Sequence, residues 1–267
     1  MESDNPIEVL DKPEIHRILF YPYKLTAGRD DSRNIFFNVE PDVQICCRFY
    51  KADKKFPTII FFHGNGETAP DYDDIARFFN EIEVNLIVTD YRGYGYSNGS
   101  PTIASLLNDA KILFKEIKRW LNDNGFSSTL YIMGRSLGSL CGLEVVKEYQ
   151  NEIAGLIVES GSATNFRNYL SMFGLVPFDH PVWKEGKTFF NKEKIRLVKI
   201  KTLIMHAEFD SIIPLEEAKI LYENSAARNK KLIIIPEADH NTIMYMDRRL
   251  YFNSIIDFIK NPLIYKH

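Results

Sequence analysis

The pentapeptide Gly134–Gly138 reads Gly-Arg-Ser-Leu-Gly and places Ser136 between two glycines. The apolar run Leu130–Met133 directly before it predicts a buried strand, and the pattern over Leu137–Tyr149 predicts a helix after it. Side chains at both glycine positions would collide in so sharp a turn. A serine there is exposed at the sheet edge, where the N–H groups of the helix start favour developing negative charge. The pattern alone is weak, but this setting predicts that Ser136 is a nucleophile.

A serine hydroxyl reacts well only when a base takes its proton, and histidine has a suitable pKa near neutral pH. Of the six histidines, His240 follows the predicted strand Leu232–Ile235 by a short loop and directly precedes a predicted helix over Thr242–Lys260. That position is the carboxyl end of a sheet, the edge at which sites form in α/β proteins. We therefore predict that His240 is the general base.

An acidic residue that orients the histidine is expected between the serine and the histidine in chain order. Asp210 fits best, because it lies in the loop after the predicted strand Leu203–His206, again at the carboxyl edge. Its carboxylate would hold the imidazole in the correct tautomer and stabilise the imidazolium. Glu208 and Asp239 are alternatives, and Asp210 could instead only cap a turn.

Acyl transfer also needs hydrogen-bond donors for the oxyanion of the tetrahedral intermediate. The backbone N–H of Leu137, the residue after the predicted nucleophile, is one expected donor. The second should come from the loop His63–Gly66 (His-Gly-Asn-Gly), which follows the predicted strand Thr58–Phe62. We assign it to the backbone N–H of Asn65 in preference to that of Gly66.

The elements that would hold these residues form an alternation of strands and helices. Short continuous apolar runs are typical of strands that are covered on both faces, as in a parallel sheet. Such runs occupy Thr58–Phe62, Leu86–Thr89, Leu130–Met133, Gly155–Val158, Leu203–His206 and Leu232–Ile235. Between the second and the third run, an apolar stripe at three- and four-residue steps predicts a helix over Pro101–Asn124.

The N-terminal part of the chain has a different pattern. Aromatic and β-branched residues separated by turn residues predict antiparallel strands over His16–Tyr23, Asn34–Val39 and Val43–Tyr50. With the parallel strands, they predict an α/β fold with a doubly wound, mostly parallel sheet of about eight strands and antiparallel N-terminal strands. We expect residues 1–267 to form a single domain.

Residues 163–199 interrupt the alternation, because they contain many aromatic side chains and no strand pattern. A stretch of this length without a strand is often a lid or a binding insertion. We predict a lid insertion here, and a pair of ordinary surface helices is the alternative.

Composition narrows the class of protein. The net charge is −3 and the sequence has no basic stripe, which argues against a nucleic-acid partner. Three cysteines, two of them adjacent at Cys46 and Cys47, suit a reducing compartment better than a disulfide framework. The N-terminus is polar and no apolar run approaches the ~20 residues of a membrane span, so we expect a cytoplasmic protein without a stable membrane anchor.

From about residue 56 to its end, the chain resembles the α/β-hydrolase family. Within that family it is similar to small serine hydrolases that carry an H-G-N loop, a D-Y-R-G-Y-G-x-S-x-G-x-P segment and a G-R-S-L-G elbow. Here these motifs are His63–Asn65, Asp90–Pro101 and Gly134–Gly138. The resemblance implies the fold, a Ser-His-Asp triad and the reaction type, and we expect Asp90 and Arg92 to brace their loop rather than react.

These expectations define one leading function and two alternatives. The leading function is hydrolysis of a small-molecule carboxylic ester or thioester through an acyl-enzyme, with no metal or organic cofactor. The aromatic 163–199 segment favours an apolar acyl or aryl group. An amidase or peptidase would use the same triad, and a non-catalytic binding protein could retain the fold. Relatives include membrane-anchored hydrolases and depalmitoylating thioesterases, but without their anchor or cysteine cluster we do not expect membrane-protein substrates.

Overall fold

One sheet of eight strands organises the part of the chain that the structure describes. The structure is a computed structural model that describes residues 5–260 except 185 and 188, so the termini of the expected domain and two positions of the expected lid lie outside it. The strands are β1 (Asn34–Glu40), β2 (Val43–Tyr50), β3 (Thr58–Phe62), β4 (Asn85–Thr89), β5 (Leu130–Arg135), β6 (Gly155–Glu159), β7 (Thr202–Ala207) and β8 (Lys230–Ile235).

The strand order is β1-β2-β4-β3-β5-β6-β7-β8. β1 pairs antiparallel with β2, and β2 pairs antiparallel with β4. All pairs from β4 through β3 to β8 are parallel. The predicted α/β fold with a mostly parallel sheet and antiparallel N-terminal strands is therefore confirmed.

Ten α-helices accompany the sheet in the described residues. They are α1 (Pro6–Leu10), α2 (Pro13–Leu19), α3 (Ala76–Glu81), α4 (Ile103–Asp123), α5 (Gly138–Tyr149), α6 (Arg167–Met172), α7 (Asn191–Ile195), α8 (Leu215–Asn224), α9 (Ile243–Met246) and α10 (Arg248–Lys260). The predicted helix after Pro101 is α4, which begins after Thr102 because the Thr102 side chain accepts a hydrogen bond from the Ser105 N–H.

The predicted strand His16–Tyr23 is wrong. Helix α2 covers its first half, and the following extended segment forms only one isolated bridge, from Lys24 to Gly95. Pro13 at the first helical position has a backbone angle preset for a helix, and Ile15 and Leu19 are buried four residues apart on one face. The helical spacing of these two side chains outweighs the aromatic and β-branched composition of the segment.

The predicted helix Thr242–Lys260 is interrupted at Asp247. The backbone of Asp247 is not helical (φ −124°, ψ 76°), so the segment divides into α9 and α10. The Asp247 carboxylate accepts a hydrogen bond from the Leu250 N–H and thereby caps the start of α10. The last helix therefore begins eight residues after His240 instead of directly beside it.

Each face of the sheet carries its own apolar layer. On β3, Ile60 and Phe62 contribute to the layer that contains α4 and α5, whereas Ile59 and Phe61 contribute to the layer that contains α3 and α10. Alternate side chains of a strand point to opposite faces, so a continuous apolar strand serves both layers. The core holds the strand ends fixed, and the loops at their carboxyl ends carry the candidate site.

Residues 163–199 contain no strand among the positions that the structure describes, as predicted. They contain α6, a short 3₁₀ helix at Pro181–Trp183, and α7. Met172 and Phe173 at the end of α6 are exposed, by 73% and 50%. None of the helices within the described ranges has both the length and the apolar content that a membrane crossing requires.

Candidate active site

Ser136 occupies a strained turn between β5 and α5. Its φ is +49°, a conformation that residues with a side chain seldom adopt. A Cβ atom added at Gly134 would lie 2.5 Å from the Gly138 carbonyl oxygen, and one added at Gly138 would lie 2.0 Å from the Phe62 carbonyl oxygen. Glycine is therefore required at both positions, since each backbone passes too close to its neighbour for a side chain.

Hydrogen bonds hold this turn on both sides of the serine. The Ser136 N–H donates to the Glu159 carbonyl of β6 at 2.9 Å, and the Ser139 hydroxyl donates to the Ser136 carbonyl at 2.7 Å. Ser136 itself is partly exposed, whereas the residues before and after it are buried. The elbow thus presents one hydroxyl at the carboxyl edge of the sheet.

The structure brings His240 and Asp210 together. His240 Nδ1 lies 2.7 Å from Asp210 Oδ2, and Asp210 Oδ1 accepts the N–H groups of Ile212 and Ile213 at 3.0 and 2.8 Å. Burial alone would raise the pKa of Asp210, but the hydrogen bond and charge of His240 and the Ile213 N–H lower it below its ordinary value. An ionised Asp210 fixes the proton of His240 on Nδ1 and leaves Nε2 as the basic nitrogen.

The two alternative acids have other partners. The Glu208 carboxylate accepts the Glu237 N–H, and the Asp239 carboxylate accepts the N–H groups of Asn241 and Thr242. Within the described residues, neither carboxylate contacts His240. Asp210 also contacts turn N–H groups, so its contacts combine turn capping with the histidine partnership.

A second histidine, which the sequence gave no reason to select, supports the Asp210 loop. His206 Nε2 donates to the Ile213 carbonyl at 2.8 Å and lies 3.5 Å from Asp210 Oδ2. Burial lowers the pKa of His206, so its neutral form is favoured. Its position at the end of β7 was visible in the sequence, but its contact with the acid depends on the course of the loop.

The loop after β3 presents unpaired backbone donors. In the described part of the chain, the N–H groups of Leu137, Asn65 and Gly66 donate no hydrogen bond to protein atoms. The Asn65 side chain is fully engaged, because Oδ1 accepts the Tyr94 hydroxyl and the Tyr21 N–H, and Nδ2 donates to the Leu19 carbonyl. Its backbone N–H is thus held in place by the N-terminal segment, a contact that the sequence did not reveal.

The motif Asp90–Pro101 makes bracing contacts. Asp90 Oδ1 accepts the Ala69 N–H at 2.8 Å and lies 3.2 Å from His63 Nε2, and Arg92 forms a bidentate pair with Asp109. Burial would lower the pKa of His63, but its hydrogen bond with Asp90 and the charge of Asp90 raise it. These contacts agree with the predicted bracing role of Asp90 and Arg92.

Arg135 is the least anticipated residue of the site. Its guanidinium donates to Glu67 Oε1 at 2.9 Å, to Glu159 Oε1 at 2.7 Å and to the His240 carbonyl at 2.8 Å. Only 5% of the residue is exposed. Its neighbour in the sequence is the predicted nucleophile, and its three partners come from three other segments.

The structure, where it describes the chain, contains no cluster of three or more His, Cys, Asp or Glu side chains suited to a metal ion. Cys46, Cys47 and Cys141 are buried and unpaired, and burial raises the pKa of each thiol, which makes all three poor nucleophiles.

The chain matches the model of a known protein family over part of its length. The family model Hydrolase_4, described as "Serine aminopeptidase, S33", matches residues 53–182, the part that contains Asn65 and Ser136. The predicted acid and base lie beyond this match.

Two curated relatives are 26% and 29% identical to this chain over the aligned residues. Protein bem46 of Schizosaccharomyces pombe is 26% identical over 213 residues, which are 76% of this chain and 67% of bem46. Lysophosphatidylserine lipase ABHD12 of Gallus gallus is 29% identical over 215 residues, 73% of this chain. The match spans only about half (55%) of that lipase.

Solved structures share the fold. The esterase Pf2001 of Pyrococcus furiosus superposes with a TM-score of 0.70 at 18% identity and covers 91% of this chain and 97% of the esterase. A soluble variant of monoglyceride lipase from Saccharomyces cerevisiae gives a TM-score of 0.65 at 17% identity and covers 90% and 96%. At such identities the likeness concerns the architecture alone.

Proposed function

This chain is a protein of the α/β-hydrolase fold with similarity to hydrolases, and on that premise we propose that it cleaves a carboxylic ester or thioester by serine catalysis. The observation that carries the proposal is the joint geometry of the carboxyl edge. Ser136 stands at φ +49° on the turn after β5, and His240 Nδ1 lies 2.7 Å from a buried Asp210. The nucleophile, base and acid also follow one another in the chain order expected for this fold.

The proposed reaction assigns a task to each of these groups. Ser136 Oγ attacks the carbonyl carbon while His240 Nε2 takes the hydroxyl proton, and Asp210 stabilises the imidazolium. The N–H groups of Leu137 and Asn65 bind the oxyanion. The imidazolium then protonates the leaving alcohol or thiol as its bond to the carbonyl carbon breaks. Water, deprotonated by His240, attacks the acyl-enzyme, and the imidazolium returns the proton to Ser136 Oγ as the bond between Oγ and the acyl carbon breaks and the acid leaves.

We propose an apolar acyl group, because the 163–199 segment exposes apolar side chains. Met172 and Phe173 are exposed on the 163–199 segment, and the Tyr21 hydroxyl lies 3.0 Å from the Tyr169 hydroxyl of the same segment. We propose that this segment is a lid that contacts the substrate. The relatives named as lysophosphatidylserine and monoglyceride lipases support a small-molecule lipid ester as substrate. A cytoplasmic location belongs to the same proposal.

Amide cleavage is the competing activity, because the matching family model is described by the name of an aminopeptidase. An amidase must protonate a poor leaving amine, which the same histidine could do. Matched ester and anilide substrates with the same acyl group separate the two activities. We expect the ester to be cleaved with the higher kcat/KM, and a faster anilide would reassign the enzyme.

The decisive experiment compares wild type with Ser136→Ala on p-nitrophenyl esters from acetate to palmitate. Loss of the nucleophile should lower kcat by about 10⁶-fold. Ser160→Ala is a matched control, because Ser160 follows β6 as Ser136 follows β5, has φ +45° and is buried. Ser160→Ala should keep its activity and its labelling by a fluorophosphonate. Equal turnover by Ser136→Ala and wild type would refute the assignment of the nucleophile.

A further inference from the structure

We propose that Arg135 is a positioning residue that fixes the nucleophile, the oxyanion loop (His63–Gly66) and the base relative to one another. This role presupposes the proposed hydrolase function. Arg135 itself touches no reacting atom in that reaction. It acts through the three segments that its guanidinium contacts.

The first contact reaches the oxyanion loop. Arg135 Nε donates to Glu67 Oε1, while Glu67 Oε2 accepts the Gly64 N–H at 2.8 Å. The Glu67 side chain thereby closes the turn that contains Asn65 and Gly66. A shift of Glu67 would move the N–H group that is proposed to bind the oxyanion.

The second and third contacts reach the nucleophile and the base. Arg135 Nη1 donates to Glu159, whose backbone carbonyl accepts the Ser136 N–H. Arg135 Nη2 donates directly to the carbonyl of His240. The guanidinium of Arg135 therefore holds both β6, which binds the Ser136 N–H, and the backbone of His240.

The second oxygen atoms of the two carboxylates also accept hydrogen bonds. The Tyr72 hydroxyl donates to Glu67 at 2.6 Å, and the Tyr251 hydroxyl donates to Glu159. Burial alone would raise the pKa of Glu67, but the charge of Arg135 lowers it to about 2. Both carboxylates have fixed geometry, and a rigid fork of donors suits such a pair better than a point charge.

Stability alone is a weak reason for this cluster. A buried ion pair contributes little or nothing relative to well-packed apolar side chains, because each charge loses its hydration. Geometry is a stronger reason, since a displacement of 1 Å in an active site can cost about 10²-fold in rate. Loss of the Arg135 contacts would allow each of the three contacted segments to shift.

The test replaces Arg135 with lysine, which keeps the charge but has one donor nitrogen on a flexible stem. Arg48→Lys is the matched control, because Arg48 is 3% exposed and its guanidinium also contacts three side chains, those of Asp31, Asn34 and Asp73. None of these partners belongs to the proposed site. Thermal unfolding establishes how much folded protein each variant contains.

We expect Arg135→Lys to lower kcat by about 10²-fold with little change in KM, and to slow fluorophosphonate labelling of Ser136 by a similar factor. Arg48→Lys should keep the kcat and labelling rate of wild type even where its stability falls. Unchanged kcat in Arg135→Lys would overturn the proposal. So would equal losses of kcat in both variants that follow their loss of stability.

Arg135→Ala with added guanidinium supplies a second readout. A cavity of about 150 Å³ lined by Glu67, Arg135 and Asn241 adjoins the guanidinium, so the truncated variant offers a free ion a path to the two carboxylates. We expect millimolar guanidinium chloride to restore part of kcat, whereas sodium chloride at equal ionic strength does not. If folded Arg135→Ala shows no increase in kcat with guanidinium, the result counts against the positioning role. If Arg135→Ala does not fold, the kinetics of Arg135→Lys test the positioning role.

Failure of the function and failure of the positioning role are distinguishable. If wild type neither cleaves the esters nor reacts with the fluorophosphonate, the serine hydrolase assignment falls, and the role of Arg135 falls with it. If wild type reacts and Arg135→Lys reacts equally fast, the hydrolase stands and only the positioning role is lost.

Discussion

The two edges of the sheet differ in the backbone conformations that they contain. Of the five non-glycine residues with positive φ in the described chain, four follow the carboxyl ends of strands: Ser136, Ser160, Asn165 and Glu237. Only Glu83 lies at the amino edge, in the turn before β4. Each such residue costs roughly 1–3 kcal/mol, and proteins keep this strain where it serves a site.

The buried polar side chains also differ between the two edges of the sheet. At the carboxyl edge, the ionisable side chains of Arg135, Glu159 and Asp210 are all buried. At the amino edge, the neutral amide of Asn85 is saturated by backbone groups, donating to Asp53 and Phe56 and accepting from Ala52 and Asp53. Most of the strained residues and these buried ionisable groups therefore lie at the carboxyl edge, which carries the proposed site, whereas the polar group at the amino edge is saturated by backbone partners.

Among the variants that compare the two edges, the largest expected effect concerns the acid at the carboxyl edge. Asp210→Asn should lower kcat by about 10⁴-fold, because an amide can favour the wrong imidazole tautomer and cannot stabilise the imidazolium. Asp239→Asn is the control, since Asp239 caps a turn beside His240, and its kcat should change little. Steady-state kinetics on one ester measures both. A larger loss in Asp239→Asn would transfer the acid role to that residue.

The next effect concerns close packing at the same edge. Gly138→Ala should lower the free energy of unfolding by about 1–3 kcal/mol and also reduce kcat, because the added methyl group meets the Phe62 backbone beside the elbow. In Gly142→Ala the new Cβ would lie 3.4 Å from the Ile132 side chain, so this control should be tolerated. Denaturant unfolding and ester kinetics test both. Equal behaviour of the two variants would contradict the packing argument.

At the amino edge we expect a substitution to lower the free energy of unfolding and to leave kcat unchanged. Asn85→Ala leaves backbone groups of the loop before β3 unpaired and should cost about 1–3 kcal/mol of unfolding free energy. Its kcat, measured well below the unfolding temperature, should equal that of wild type. A loss of kcat in Asn85→Ala would show that the two edges are not independent.

The smallest expected effect is a dependence of the unfolding free energy on pH. The pKa of His63 is raised in the folded state, so its pairing with Asp90 contributes stability in full below the ordinary histidine value of about 6.5. That contribution is lost as the pH rises through the raised folded value. The difference in unfolding free energy between wild type and His63→Asn should therefore be larger at about pH 6 than at about pH 9. An equal difference at both pH values would mean that His63 is neutral in the fold.

Local pattern was sufficient for the parallel strands. β3, β5 and β7 lie within two residues of their predicted bounds, because buried strands read as continuous apolar runs between turns. The same reasoning failed for His16–Tyr23, where proline and the four-residue spacing of Ile15 and Leu19 outweighed composition.

The candidate site also contains one part that the sequence predicts and one part that it does not. The setting of Ser136 could be predicted, because its strand, turn and helix are contiguous in the sequence. The contacts of Arg135 could not, since Glu67, Glu159 and His240 are 68, 24 and 105 positions away along the chain. Such contacts depend on the strand order, which no local pattern specifies.

The segment before β1 orients the loop after β3. Leu19 and Tyr21 supply two of the three hydrogen bonds on the Asn65 side chain, and Tyr94 supplies the third. A shortened protein that starts at β1 would retain every strand of the sheet and still lose most of what orients Asn65. A protein trimmed to its sheet should therefore have a loosened His63–Gly66 loop, because the contacts from Leu19 and Tyr21 are what hold the Asn65 side chain.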